Sequence, residues 1–109
     1  MLNGADELSY QAYLTGAVGT VAMTAKVVPE IFQSIFDGVK TGKLSSALKA
    51  QRRLVEVMAA LGRGQLISIY KEAIRLQGYD VGHVRPPQRE LSPAEKKDVA
   101  KALAKTGLI

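Results

Sequence analysis

Cysteine is absent from the 109 residues, histidine occurs once, at His83, and aromatic residues make up only 6% of the chain. Without cysteine, disulfides, thiolate nucleophiles and cysteine-ligated metals are all excluded, while a reducing compartment is permitted. His83 has no acid or second ligand at motif spacing, so neither a metal site nor a catalytic dyad is supported, and a solvent-facing loop position is expected for it. Long apolar runs are missing too. The longest, Ala17 to Met23, is interrupted by Gly19 and Thr20 and is too short to cross a bilayer. The first residues, with acidic Asp6 and Glu7, do not resemble a signal peptide. A cytoplasmic chain with no membrane partner is the expectation.

What is present suits a folded chain. Hydrophobic residues at 47% and charged residues at 23% are ordinary for a globular domain and argue against wholesale disorder. The net charge of +5 is unevenly placed. Residues 1–40 carry two cations, Lys26 and Lys40, against four acids, Asp6, Glu7, Glu30 and Asp37, a net of −2. The excess of cations beyond them is spread along helix-like segments, with no aromatic interleaving and no nucleic-acid motif. Solvated helix faces account for it, and no nucleic-acid partner is expected. A surface for acidic partners is the weaker alternative.

Met1 to Asn3 reads as the last residues of a strand, and Gly4 with Asp6 and Glu7 suits a turn into a helix N-terminus. Leu8, Ala12 and Tyr13 follow at helical spacing, with Gly16 as a stop. Ala17–Met23 is an uncharged, β-prone run, expected to be a strand covered on both faces and parallel to the first across the intervening helix. From Pro29 the period becomes helical: Ile31, Phe32, Ile35, Phe36 and Val39 form one stripe, ended by Gly42. A second such helix is predicted from Leu44 to Leu61, with Leu44, Ala47, Leu48, Leu54, Val55, Met58 and Leu61 on its apolar face. A third runs from Gln65 to Gln77, with Tyr70 as packing and Gly78 as the stop. Residues 79–91 form a loop around Gly82, Pro86 and Pro87, where Arg85 is expected to pair with an acid. The last helix is the best marked, with Ser92 as cap, Pro93 in its first turn, Glu95 completing a capping box and Gly107 closing it. Leu108 and Ile109 should pack back on a neighbour.

Two strands and then four helices leave sheet edges and faces uncovered. Specific residues explain the pattern by resemblance. Asn3-Gly4-Ala5-Asp6-Glu7 resembles the Asn-Gly-x-Asp-Glu segment after the seventh strand in the barrel aldolases of the dihydrodipicolinate synthase / N-acetylneuraminate lyase family. Gly16 to Ala22, followed by Pro29, is similar to that family's Gly-x-x-Gly-x-Ile/Val-Ser eighth strand and its helix-opening proline. Val84-Arg85-Pro86-Pro87, Leu91-Ser92-Pro93-Ala94-Glu95 and Gly107-Leu108-Ile109 resemble its closing signature. The ordered set, rather than any single piece, carries the resemblance.

The fold it implies is α/β: the C-terminal portion of a TIM (β/α)8 barrel, with about two strands, followed by a helical extension, so that the isolated chain is mostly helical. Residues 1–42 would be the last βαβα part of the barrel and residues 43–109 a three-helix extension. A complete barrel takes roughly 250 residues. Family members form a Schiff base between a lysine and a 2-oxo acid, usually pyruvate, and a tyrosine moves protons. Both belong to earlier strands, so no catalytic residue, metal or cofactor is expected in these 109 residues. Substrate contact is implied for Gly4, Asp6 and Glu7 in the turn and for Val21 and Ala22 on the last strand, where Ala22 replaces the family's frequent serine. Asp6 and Glu7 would equally favour a helix N-terminus. Lys26, where asparagine is frequent, is expected to be a surface lysine. Completed by an N-terminal portion, the chain would bind a 2-oxo acid such as pyruvate and form a homo-oligomer. The competing possibility is a non-catalytic helical module that self-associates.

Overall fold

The change from a β-prone run to a 3.6-residue apolar period near Pro29 divides a short strand–helix–strand segment from a wholly helical remainder. The computed structural model describes residues 1–109. In order they form β1 (Leu2–Asn3), α1 (Ser9–Leu14), β2 (Gly19–Thr20), α2 (Pro29–Lys40), α3 (Leu44–Ala60), α4 (Ile67–Leu76) and α5 (Pro93–Thr106). Short 3-10 turns lie at Asp6–Leu8, Thr24–Lys26 and Gly62–Gly64. The residues group into two compact units, Met1–Glu56 and Val57–Ile109.

In the first unit β1 and β2 pair in parallel, with Leu2 opposite Gly19 and Asn3 opposite Thr20. The expected strand over Ala17–Met23 is much shorter than its composition suggests. A strand extends only as far as its ladder, and β1 offers two residues to pair with. Nor is it covered on both faces, since Val18 is 69% and Val21 70% exposed. Beyond it, Pro29 occupies the first turn of α2, where the missing N–H costs nothing. Phe32 and Ile35 are buried, and α1 packs on α2 with the Tyr13 and Phe36 rings edge to face at 5.1 Å. A Cβ on Gly38 would stand 2.8 Å from the Ala47 Cβ, so α2 meets α3 at a point where only hydrogen fits. The apolar face of α3 departs from expectation at three positions. Leu44 is 42% exposed, while Val57 and the polar Gln51, neither assigned to that face, are buried.

In the second unit Val57 and Met58 at the end of α3 and Leu61 just beyond it are buried, as are Tyr70 and Ala73 on α4 and Val99 and Leu103 on α5, which packs against α4. The start of α5 is a complete capping box: the Ser92 hydroxyl accepts from the Glu95 N–H at 3.2 Å, and the Glu95 carboxylate accepts from the Ser92 N–H at 3.0 Å. Gly107, at φ 78°, ends the helix in the left-handed conformation, and the Leu108 N–H reaches back to the Leu103 carbonyl at 3.2 Å. Ile109 stays 49% exposed, so the tail turns back only through Leu108. The expected ion pair of Arg85 is made instead by Arg89, whose two terminal nitrogens each donate to Glu95 at 2.7 Å. Arg89 lies closer along the chain to the capping box, and its fork matches a carboxylate already oriented by Ser92.

The Arg89 guanidinium, and after it the Ser92 backbone N–H, hold the Glu95 carboxyl down from 4.5 to about 2. Because the folded-state value is depressed, this contribution to stability is complete above the ordinary carboxylate range and is lost as pH falls through about 2. A carboxyl-carbon NMR titration should therefore show Glu95 ionised at pH 3.5, roughly where unperturbed carboxylates are already taking up protons. A midpoint near the ordinary glutamate value would refute the arrangement.

Candidate functional site

The segment after β1 is folded by its own polar side chains. Asn3 donates from Nδ2 to the Ala5 carbonyl at 2.8 Å and to the Ser9 hydroxyl at 3.3 Å, and its Oδ1 accepts from the Ala5 N–H at 3.1 Å. The buried Ser9 hydroxyl donates in turn to the Asp6 carbonyl at 2.9 Å. An asparagine at a strand end that hydrogen-bonds the backbone two residues on makes a closed turn. Residues 4–8 are thereby set at the carboxyl end of β1.

Two long-range ties then fix that turn within the first unit. The Asp6 Oδ2 accepts from the Thr24 N–H at 3.2 Å, joining the turn to the residues that follow β2. Gln51 on α3 does more: its Oε1 accepts from the Tyr10 N–H at 2.8 Å, while its Nε2 donates to the Glu7 carbonyl at 3.1 Å and the Asp6 carbonyl at 3.4 Å. Tyr10 and its neighbours begin α1, where unpaired N–H groups need a partner. The amide of Gln51 supplies one from outside the helix. Nearby, the Tyr13 and Thr20 hydroxyls lie 2.7 Å apart, so α1 is also fastened to β2.

The implied contact residues fall around this cluster without all being drawn into it. Gly4 is exposed, with open space where a side chain would stand. Asp6 is half-buried and spends one carboxylate oxygen on Thr24; Glu7 is exposed and its carboxylate makes no bond. The Val21 N–H donates to the Asn3 carbonyl at 2.9 Å while its side chain stays open, and Ala22 is half-buried. Lys26 is exposed in its 3-10 turn. Unspent hydrogen-bonding capacity in the cluster therefore consists of the other Asp6 oxygen, the Glu7 carboxylate and the buried Thr24 hydroxyl, which has no partner. That set can receive and orient hydroxyl groups. It contains no amine that could form an imine with a carbonyl group.

Thr24 and Gln51 were not singled out by sequence reasoning. Gln51 left one signal: it interrupts an apolar helical stripe at a position spaced four from Ala47 and three from Leu54. Thr24 left none, because its role depends on a contact 18 residues away. His83 is open to solvent as expected, with its side chain 90% exposed, yet its Nδ1 stands 3.3 Å from Glu90, an acid seven positions on and outside any motif spacing.

Two parallel strands joined through a helix, with a polar turn at the carboxyl end of the first, define an α/β chain of the kind that builds barrels. Residues 1–106 match the dihydrodipicolinate synthetase family, and the chain belongs to it. It is 32% identical over 108 residues to an uncharacterized DapA-like lyase of Halobacterium salinarum, an alignment that covers 99% of this chain and 36% of that protein. With the 2-dehydro-3-deoxy-D-gluconate/2-dehydro-3-deoxy-phosphogluconate aldolase of Thermoproteus tenax it shares 33% identity over 104 residues, 94% of this chain and 34% of the relative. In structure it is similar to the N-acetylneuraminate lyase of Fusobacterium nucleatum, with a TM-score of 0.86, 25% identity, and coverage of 96% of this chain and 36% of that one. The chain thus spans little more than a third of the length of the relatives it matches.

Replacing Gln51 by leucine should preserve the burial of the side chain while leaving the Tyr10 N–H without its acceptor, at a cost of roughly 1–3 kcal/mol. Denaturant unfolding should register that loss, and the Tyr10 amide should exchange with solvent faster than in the parent chain. Unchanged exchange at Tyr10 would show that Gln51 does not hold the turn.

Proposed function

We propose that these 109 residues are the closing part of a lyase that makes or breaks a bond on pyruvate or another 2-oxo acid through a lysine Schiff base. Family membership supports the reaction class, and so do the aldolase and the N-acetylneuraminate lyase among the proteins it is similar to. The observation that carries the reading is the Gly4–Glu7 turn, tethered by Asp6 to Thr24, which leaves acidic acceptors at the carboxyl end of β1. Barrel enzymes assemble their sites at that end of the strands. In this reading the free Asp6 oxygen and the Glu7 carboxylate accept from hydroxyl groups on the far end of the substrate. Gly4 keeps the turn clear of side-chain bulk, and Val21 and Ala22 line the adjoining wall. Residues 1–42 then belong to the barrel and 43–109 to its helical extension, in a cytoplasmic homo-oligomer.

The reaction needs a desolvated lysine to attack the carbonyl and a positioned acid and base to collapse the carbinolamine. The family's lysine and tyrosine strands have no counterpart in these residues, so the chain is inactive by itself. No cofactor is called for, since the protonated imine itself withdraws electrons from the bond that breaks. A second reading, a non-catalytic module that associates with its own kind, is favoured by the exposed apolar side chains of Leu2 at 61%, Val18 at 69% and Val21 at 70%.

Incubation of the purified chain with pyruvate and borohydride should leave every lysine unmodified by mass spectrometry, and a reduced adduct on Lys26 would overturn the proposed division of labour. Because Leu2, Val18 and Val21 lie open, light scattering of the same sample should show self-association. A monomer at all concentrations would exclude both the homo-oligomer and the association module for this chain.

A further inference from the structure

Asn3 is the single asparagine of the chain, and a glycine follows it. In such a pair the backbone nitrogen after the asparagine is one ring closure away from the side-chain carbonyl carbon, and glycine puts no side chain in the way. Gly4 fits that chemistry: it is exposed, and nothing stands within 4 Å of where a Cβ would be. Asn3 itself is only half-buried. The reaction open to this pair is loss of the side-chain amide. The Gly4 nitrogen bonds to the Asn3 Cγ, the Cγ–Nδ2 bond breaks, and Nδ2 leaves as ammonia with the Gly4 proton. Water then opens the five-membered imide. Attack at Cγ gives aspartate, and attack at the Asn3 main-chain carbonyl carbon gives isoaspartate, in which the main chain runs through the former side chain. Water is the sole co-reactant.

The fold keeps the two reacting atoms apart. Asn3 is the last residue of β1. Ring closure needs the Asn3–Gly4 peptide to turn toward the Asn3 side chain, whereas the extended backbone of a strand turns it away. The Asn3 main-chain carbonyl, which would have to swing with that peptide, accepts from the Val21 N–H at 2.9 Å. Its side chain is tied as well: Nδ2 donates to the Ala5 carbonyl and the Ser9 hydroxyl, and Oδ1 accepts from the Ala5 N–H. Reaching the imide disrupts these bonds. They are supported in turn by a ladder of two residues per strand and by Gln51. So short a ladder is marginal in water and opens more readily than a packed helix.

We propose that Asn3–Gly4 is a site of covalent self-modification, a deamidation that the folded turn suppresses and that local opening of β1 releases. The product cannot rebuild the turn it leaves. An aspartate at position 3 has no Nδ2 to donate, and it sets a carboxylate oxygen against the Ala5 carbonyl that now receives a hydrogen bond at 2.8 Å. Isoaspartate lengthens the main chain by one carbon at the end of β1, which displaces Asp6 from its bond to the Thr24 N–H. Each event therefore removes the support of Asp6 and Glu7, in one direction only. The chemistry is independent of the lyase reading and stands or falls without it.

The test incubates the full 109-residue chain at mildly alkaline pH, in native buffer and in denaturing urea, and follows the tryptic peptide Met1–Lys26 by mass spectrometry and isoaspartate content. Deamidation at Asn3 should be faster in urea by about tenfold or more, the ratio reporting how rarely the folded turn opens. Gly4→Ala should slow it in both media. In native buffer Gln51→Leu should react faster than the parent, and in urea the two should match, since only the fold distinguishes them. Should Gln51→Leu fail to fold, the parent in sub-denaturing urea decides, its rate rising before the global transition. Asn3→Asp should speed exchange of the Leu8 amide, which shares the Ala5 carbonyl with Asn3, by about tenfold. Equal rates for the parent in the two media, no product in urea, or a Leu8 amide as protected in Asn3→Asp as in the parent would overturn the proposal.

Discussion

A buried amide holds the beginning of this chain in place. Two strands of two residues each provide too short a ladder to order a turn by themselves, and an isolated pair of short strands is marginal in water. Gln51 compensates from the middle of α3, because a carboxamide is both donor and acceptor and so serves the Tyr10 N–H and the Asp6 and Glu7 carbonyls together. A leucine there would fill the volume and satisfy none of them. The turn that bears Asp6 and Glu7, closed locally by Asn3, is held to α3 by a residue more than 40 positions away.

Asp6 illustrates how a structural tie can leave half of a carboxylate free for the proposed contact with substrate. One oxygen accepts from the Thr24 N–H and joins the two strand ends; the other, and the Glu7 carboxylate, remain unbound by protein. A carboxylate oriented on one side presents its second oxygen in a defined direction, which is what positioning of a substrate hydroxyl requires. The buried Thr24 hydroxyl, lacking a partner, adds a further group whose hydrogen bond is still to be made.

In the second unit, order comes from charge rather than from an amide. Arg89 and Ser92 converge on Glu95 and join the end of the long loop to the first turn of α5. Glu72 and Arg75 make a comparable pair on α4, one member buried and the other exposed. Each pair is local in sequence, with the acid and base separated by three or six positions, so the loop needs few long-range contacts to be ordered.

Features governed by near neighbours were legible in the amino-acid order. Ser92 and Glu95 announced a capping box because both of its hydrogen bonds close within one helical turn. Pro29 opened α2, Gly107 ended α5, and the apolar period along Phe32 and Ile35 located the buried face, all through preferences that act over a few residues. The Asn3–Glu7 segment was equally legible as a turn, and with the other motifs it pointed to the family. Tertiary structure alone decided how far Ala17–Met23 is a strand, since pairing and not composition sets that length. It alone chose Arg89 over Arg85, gave Asp6 its bond to Thr24, and made a glutamine part of a helix core. The amino-acid order determines bonds that the chain can make with itself over a few residues. Those joining distant segments exist only once packing has brought the donors and acceptors together.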